Sequence, residues 1–88
     1  MNKSDIERGL ADIIANYTEF DMKTVGRATS LREDLGLSSF DIIALVTEIE
    51  EKFSISVDDI DILSEMKTFG EAVDLVANLH TEGIHEGS

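Results

Sequence analysis

The chain contains no cysteine, which removes disulfides, thiolate metal sites and nucleophilic thiols together, so any thiol chemistry must come from an attached group. Proline is also absent, so no residue fixes a kink or a rigid turn, in keeping with helices joined by flexible connections. No apolar run approaches the 18 or so residues of a membrane span. The first twenty residues are interrupted by Asp5, Glu7, Arg8 and Asp12, unlike a secretory signal, and the expected compartment is the cytoplasm. Basic residues are scarce: seven Lys and Arg stand against 19 Asp and Glu, for a net charge of −12. Nucleic acid is excluded as a partner by that balance, because phosphates demand cations. With 88 residues there is room for one core, near the size at which roughly 60% of the unfolded surface is buried. Internal repeats and linkers are absent as well.

What is present is mostly helical periodicity. Ser4 with Glu7 reads as a capping box, and Ile6, Leu10, Ile13, Ile14 and Tyr17 follow at helical spacing, predicting a first helix from about Asp5 to Asn16. From Thr18 to Leu37 the pattern lapses, leaving scattered apolar anchors at Phe20, Met22, Val25, Leu31 and Leu35. So long a loop is expected to be pinned at Leu31 and Leu35, with a short turn capped by Ser30 and Glu33. A second helix begins at Ser38 or Ser39, either of which can supply the cap, and carries Ile42, Leu45, Val46, Ile49 and Phe53 on one face. Residues Phe53 to Val57 alternate like a strand but have no partner, and read as an extended connector. Asp58, Asp59 and Asp61 around Ile60, Ile62 and Leu63 suggest a short third helix. Thr68 with Glu71 caps a last helix over about Phe69 to His80, leaving residues 81–88 as a disordered tail beyond a domain of residues 1–80. The expected fold class is all-α, a four-helix bundle with three longer helices, a short third one and a long first loop.

Several chemistries can be weighed against these elements. Gly36-Leu37-Ser38 begins like a hydrolase nucleophile elbow, but that turn needs glycine two residues after the serine, where Phe40 stands. His80 and His85 lie at the far end, and a serine without a base is a poor nucleophile, so no catalytic residue is expected. Asp59 and Asp61 imitate the start of a calcium loop, yet Ser64 and Gly70 occupy its glycine and glutamate positions, so no specific metal site is expected. Between Glu33 and Met66, ten acids face Lys52 alone, which places −9 of the −12 around and after Ser39. Such a run is commonly a solvated surface; its coincidence with the serine turn suggests a face that draws basic partners.

The turn itself reads Asp34-Leu35-Gly36-Leu37-Ser38-Ser39-Phe40-Asp41. It resembles the modification site of the acyl carrier proteins, in which Asp-Leu-Gly, two further residues and a serine bearing phosphopantetheine precede an apolar residue and an acid. The resemblance extends through the acidic helix to Phe53 and more loosely from Ser4 to about Leu79. It implies phosphopantetheine attached covalently to Ser39 by a phosphopantetheinyl transferase, and acyl groups held as thioesters on that arm. The chain would be a monomeric carrier without catalysis of its own, serving the acyl-loading and acyl-processing enzymes of fatty-acid, polyketide or related biosynthesis through their basic surfaces. Docking would fall to Asp34, Ser38, Phe40, Asp41, Glu48, Glu50 and Glu51. Leu31, Val46, Ile49, Val57, Ile62 and Met66, core residues on any reading, would shelter the acyl chain. Family members commonly have an acid immediately before the modified serine; here that place is taken by Ser38. Two other readings fit the residues: an acidic carrier-like module that is never modified, and a peptidyl or aryl carrier of a nonribosomal assembly line.

Overall fold

A computed structural model describes residues 2–57 and 65–86. Its α-helices are α1 (Lys3–Ile14), α2 (Ser39–Phe53) and α3 (Phe69–Glu86), with a 3-10 turn at Met22–Thr24. The described architecture is all-helical; the short helix expected around Asp58 to Leu63 lies outside the described residues. None of the described helices is long and apolar enough to cross a membrane. Ile6, Leu10, Ile13 and Ile14 of α1 are buried, as their spacing requires. The cap is not the expected Ser4. Asn2, as good a cap as serine, accepts the Asp5 N–H through its side chain at 2.9 Å, so the helix starts two residues earlier with Asp5 in the first turn, at the positive end of its dipole.

Two fastenings hold the long loop after α1. Leu31 and Leu35 are buried as expected, whereas Phe20 is largely exposed and anchors nothing. Ser30 Oγ accepts the Glu33 N–H at 3.0 Å, but the carboxylate that answers on the Ser30 N–H is Asp34 Oδ2 at 2.7 Å, not Glu33. The same stretch is stitched to the entrance of α3. Leu31 N donates to Lys67 O, Phe69 N to Thr29 O and Gly70 N to Arg27 O, all between 2.9 and 3.0 Å, around an isolated antiparallel bridge of Ser30 with Thr68. These contacts satisfy backbone groups that a structureless loop would leave to water.

Helices α1 and α2 run antiparallel, Gly9 meeting Phe53 and Tyr17 meeting Glu48. At Gly9 a Cβ would come within 2.7 Å of the Phe53 ring, so glycine lets the two helices close. The expected capping box opens α3, Thr68 N donating to Glu71 Oε1 at 3.0 Å and Glu71 N to Thr68 Oγ1 at 3.1 Å. This helix continues past His80 to Glu86, taking in most of the segment expected to be a disordered tail. Without proline nothing forbids extension, and each added residue gains a hydrogen bond without a new nucleation cost. One cluster forms the core, drawing Ile42, Leu45, Ile49 and Phe53 from α2, Phe69, Ala72, Val73 and Val76 from α3, and Leu31, Leu35, Leu37 and Met66 from the connections.

Asp74 ties three segments at the surface, accepting from Arg27 at 2.6 Å and Lys3 at 3.1 Å. The Arg27 bond, then the Lys3 bond, holds its carboxyl below the ordinary carboxylate range. A depressed folded pKa contributes stability above the unfolded value, about 3.9, that is lost as pH falls through the folded one. Asp74→Asn should therefore melt slightly below the parent at neutral pH and low salt, with the gap closing in acid and shrinking in high salt. Melting curves across pH and salt check this; a gap independent of both would assign the loss to something other than charge.

Candidate functional site

Residues 34–41 build a helix entrance from the loop side. Asp34 closes the Ser30 turn, Leu35 and Leu37 are buried on either side of Gly36, and Gly36 takes φ +72°, which side-chain-bearing residues rarely adopt. Leu37 N donates to Leu31 O at 3.1 Å, fixing the approach to α2. Of the two serines, Ser38 is the cap. Its Oγ accepts the Asp41 N–H at 3.1 Å while its own N–H donates to Asp41 Oδ2 at 2.9 Å, a complete capping box. Ser39 is the first helical residue and half-exposed, and no hydrogen bond among the described residues engages its hydroxyl. That hydroxyl stands at a helix N-terminus, where unpaired N–H groups and the helix dipole favour an anion. The residues present thus fit a phosphate ester at Ser39.

Around this turn lie large apolar side chains left in solvent. Phe40 is 84% exposed and Ile43 54%, one turn apart on the outer side of α2. Ile43 was not on the expected inner face of α2, whereas Ile42, Leu45, Ile49 and Phe53 of that face are buried against α1 and α3.

The acids expected to dock partners are more engaged than their sequence suggests. Asp41 serves the cap and Asp34 the Ser30 turn. Glu48 accepts from the Tyr17 hydroxyl, and Glu50 Oε2 accepts the Val57 N–H at 2.8 Å, binding the extended connector back onto α2. Tyr17 is correspondingly held above its ordinary pKa, chiefly by the hydrogen bond to Glu48, then by desolvation and by the charges of Glu48 and Asp41. Glu51 is exposed. Several of these carboxylates are thus fixed in direction by hydrogen bonds. Of the proposed acyl-chain residues, Leu31, Ile49 and Met66 share the core and Val46 packs against it. Val57 is half-exposed outside that cluster, and Ile62 lies outside the described residues. Among the described residues no three His, Asp or Glu side chains gather as a metal site.

Residues 8–76 match the family described as a phosphopantetheine attachment site. The acyl carrier protein of Acidothermus cellulolyticus is 35% identical over 78 residues, 89% of this chain and 92% of its own. That of Porphyromonas gingivalis is 32% identical over 73 residues, 83% of this chain and 92% of its own. A solved structure of the acyl carrier protein from Enterococcus faecalis aligns with a TM-score of 0.77 at 25% identity, covering 90% of this chain and 99% of that one.

The cap generates a stability test. Ser38→Ala removes the acceptor for the Asp41 N–H and should cost about 1 kcal/mol, whereas Ser38→Asp restores an equally good cap and should stay close to the parent. Urea midpoints of the three proteins decide; equal stability of the alanine variant would mean the cap carries no weight.

Proposed function

The chain belongs to the acyl carrier protein family, and from that premise we propose that Ser39 is the attachment point of its phosphopantetheine. The observation that carries the assignment is the division of labour between the serines: Ser38 spends its hydroxyl on the cap, leaving that of Ser39 free at the helix entrance. In the transfer, Ser39 Oγ would bond to the phosphorus of the phosphopantetheine half of coenzyme A. The bond to the adenosine bisphosphate half would break, and the serine proton would leave with the transferase's base. When bound, the arm supplies a thiol that holds acyl groups as thioesters, a group this cysteine-free chain lacks. The protein's own residues then bind, present and shelter, with no catalysis of their own.

In this reading the short third helix expected around Asp58 to Leu63 completes a four-helix bundle, and Leu31, Val46, Ile49, Val57, Ile62 and Met66 receive the acyl chain. The monomer works in the cytoplasm. Partners with basic surfaces, the phosphopantetheinyl transferase among them, are steered by the negative field and meet Ser38, Phe40, Asp41, Glu48, Glu50, Glu51 and Asp34. Phe40 and Ile43 offer such a partner an apolar centre within the acidic rim. Tied to Ser30 and Val57, Asp34 and Glu50 act mainly through charge, whereas Glu51 is free to form a direct pair.

Incubation with a broad-specificity phosphopantetheinyl transferase and coenzyme A should add one arm to the parent and to Ser38→Ala, and none to Ser39→Ala. Intact mass is the readout, and modification of the Ser39 variant would move the site. Glu51→Lys should slow association with a carrier-dependent enzyme at low salt, with the difference fading once the Debye length falls to a few ångström near 1 M. Stopped-flow association rates test it, and a salt-independent difference would rule out steering.

A further inference from the structure

Among the described residues three large apolar side chains stand in solvent: Phe20, Phe40 and Ile43. An exposed apolar residue by itself needs no explanation. These three gather around one feature of the fold. Phe40 and Ile43 belong to the opening turns of α2, and Phe20 belongs to the segment that leaves α1. Thr18 ties that segment to the turn before Ser39: its Oγ1 donates to the Leu35 carbonyl at 2.9 Å and accepts the Phe20 N–H at 3.1 Å. Tyr17, bonded to Glu48, fixes the same segment to the side of α2.

Phe20 is held from its other side as well. Asp21 Oδ1 accepts the Lys23 N–H at 3.0 Å and Asp21 O accepts the Thr24 hydroxyl at 2.8 Å, which opens the 3-10 turn. An aromatic residue between two fixed neighbours has little backbone freedom to lose when a partner covers it, so more of the buried area appears as affinity. Acids frame both aromatics: the exposed Glu19 and Asp21 flank Phe20, and Asp41 follows Phe40. The surface that fits them carries apolar recesses ringed by Lys and Arg.

Reach distinguishes the possible occupants. An enzyme that acts on the far end of the arm meets its substrate away from the protein surface, and one face of α2 is enough to hold it. The enzyme that installs the arm must bring its own site to Ser39 Oγ at the helix entrance, so it has to close over the turn itself. Phe40 follows Ser39 on the helix side of that turn, and Phe20 is tied to Leu35 on its loop side. We propose that Phe20 and Phe40 form a two-point apolar grip for the phosphopantetheinyl transferase. Phe20 touches no reacting atom and acts as a positioning residue, extending the docking face from α2 to the loop after α1.

The inference rests on the Ser39 reading, and the test separates the two. Steady-state transfer by a broad-specificity phosphopantetheinyl transferase is measured by intact mass for the parent, Phe20→Ala and Phe20→Leu. Phe20→Ala should raise KM roughly five- to tenfold with kcat unchanged, because the lost contact serves binding alone, and Phe20→Leu should recover most of the loss. Both variants should melt with the parent, since Phe20 lies outside the core cluster. An unchanged KM, or a loss that falls on kcat, would overturn the grip. A second measurement requires neither transfer nor a change at Phe20. Isotope-labelled Ser39→Ala is titrated with the same transferase, and the amides of Glu19, Phe20 and Asp21 should shift together with those of Phe40 and Ile43. Shifts confined to α2, or shifts at Phe20 that only an acyl-processing enzyme produces, would also overturn it. If either Phe20 variant melts early, these spectra decide. If the parent gains no arm, or Ser39→Ala gains one, the attachment reading fails by itself, and the spectra still show whether the transferase covers Phe20.

Discussion

The first turn of α2 presents amide N–H groups that have no partner inside the helix, and Ser38 and Asp41 satisfy two of them reciprocally. The condition of Ser39 depends on that arrangement. Had Ser39 supplied the cap, its oxygen would be held against the backbone and the helix would begin one residue later. With the cap placed at Ser38, Ser39 becomes the first helical residue. An acid at the position before the modified serine, common in the family, would cap equally well; serine keeps the hydrogen bond and omits the charge. The departure at Ser38 is thus conservative for folding and changes only the electrostatics of the entrance.

The entrance is itself held by the loop before it. Asp34 closes the Ser30 turn, Leu31 receives the Leu37 N–H, and the Thr29–Leu31 stretch is bonded to Lys67 and Phe69 at the start of α3. The connection between α1 and α2, whose regular structure is one 3-10 turn, becomes fixed because its backbone groups are matched to those of another segment and its leucines enter the common core. The turn that bears Ser39 is therefore supported from both sides, which suits the attachment role proposed for it.

A net charge of −12 on a small fold carries a cost in self-repulsion. The structure offsets part of it by giving carboxylates donors near at hand: Tyr17 for Glu48, the Val57 N–H for Glu50, Arg27 and Lys3 for Asp74. None of these bonds neutralises the surface of α2, whose only cation is Lys52 in the last turn. The field available to a basic partner survives, while the carboxylates that produce it also hold α1, the connector and α2 together.

Local pattern in the sequence was enough for the existence of the three described helices, the Thr68–Glu71 box and the serine entrance, because spacing and capping chemistry act within a few residues. The same holds for the acyl carrier resemblance, whose motif is a contiguous run. Choices between near-equivalent local solutions were left to the tertiary structure. Asn2 and Ser4 both can cap α1, Ser38 and Ser39 both can cap α2, and Glu33 and Asp34 both can answer Ser30; the geometry of the assembled chain selected one of each pair. It alone decided that Phe20 faces solvent instead of anchoring the loop, since burial depends on what another segment covers. The engagement of Glu48 and Glu50, and the bond of Thr18 to Leu35 that brings Phe20 to the turn before Ser39, join residues separated in sequence, where no short-range signal exists to be read.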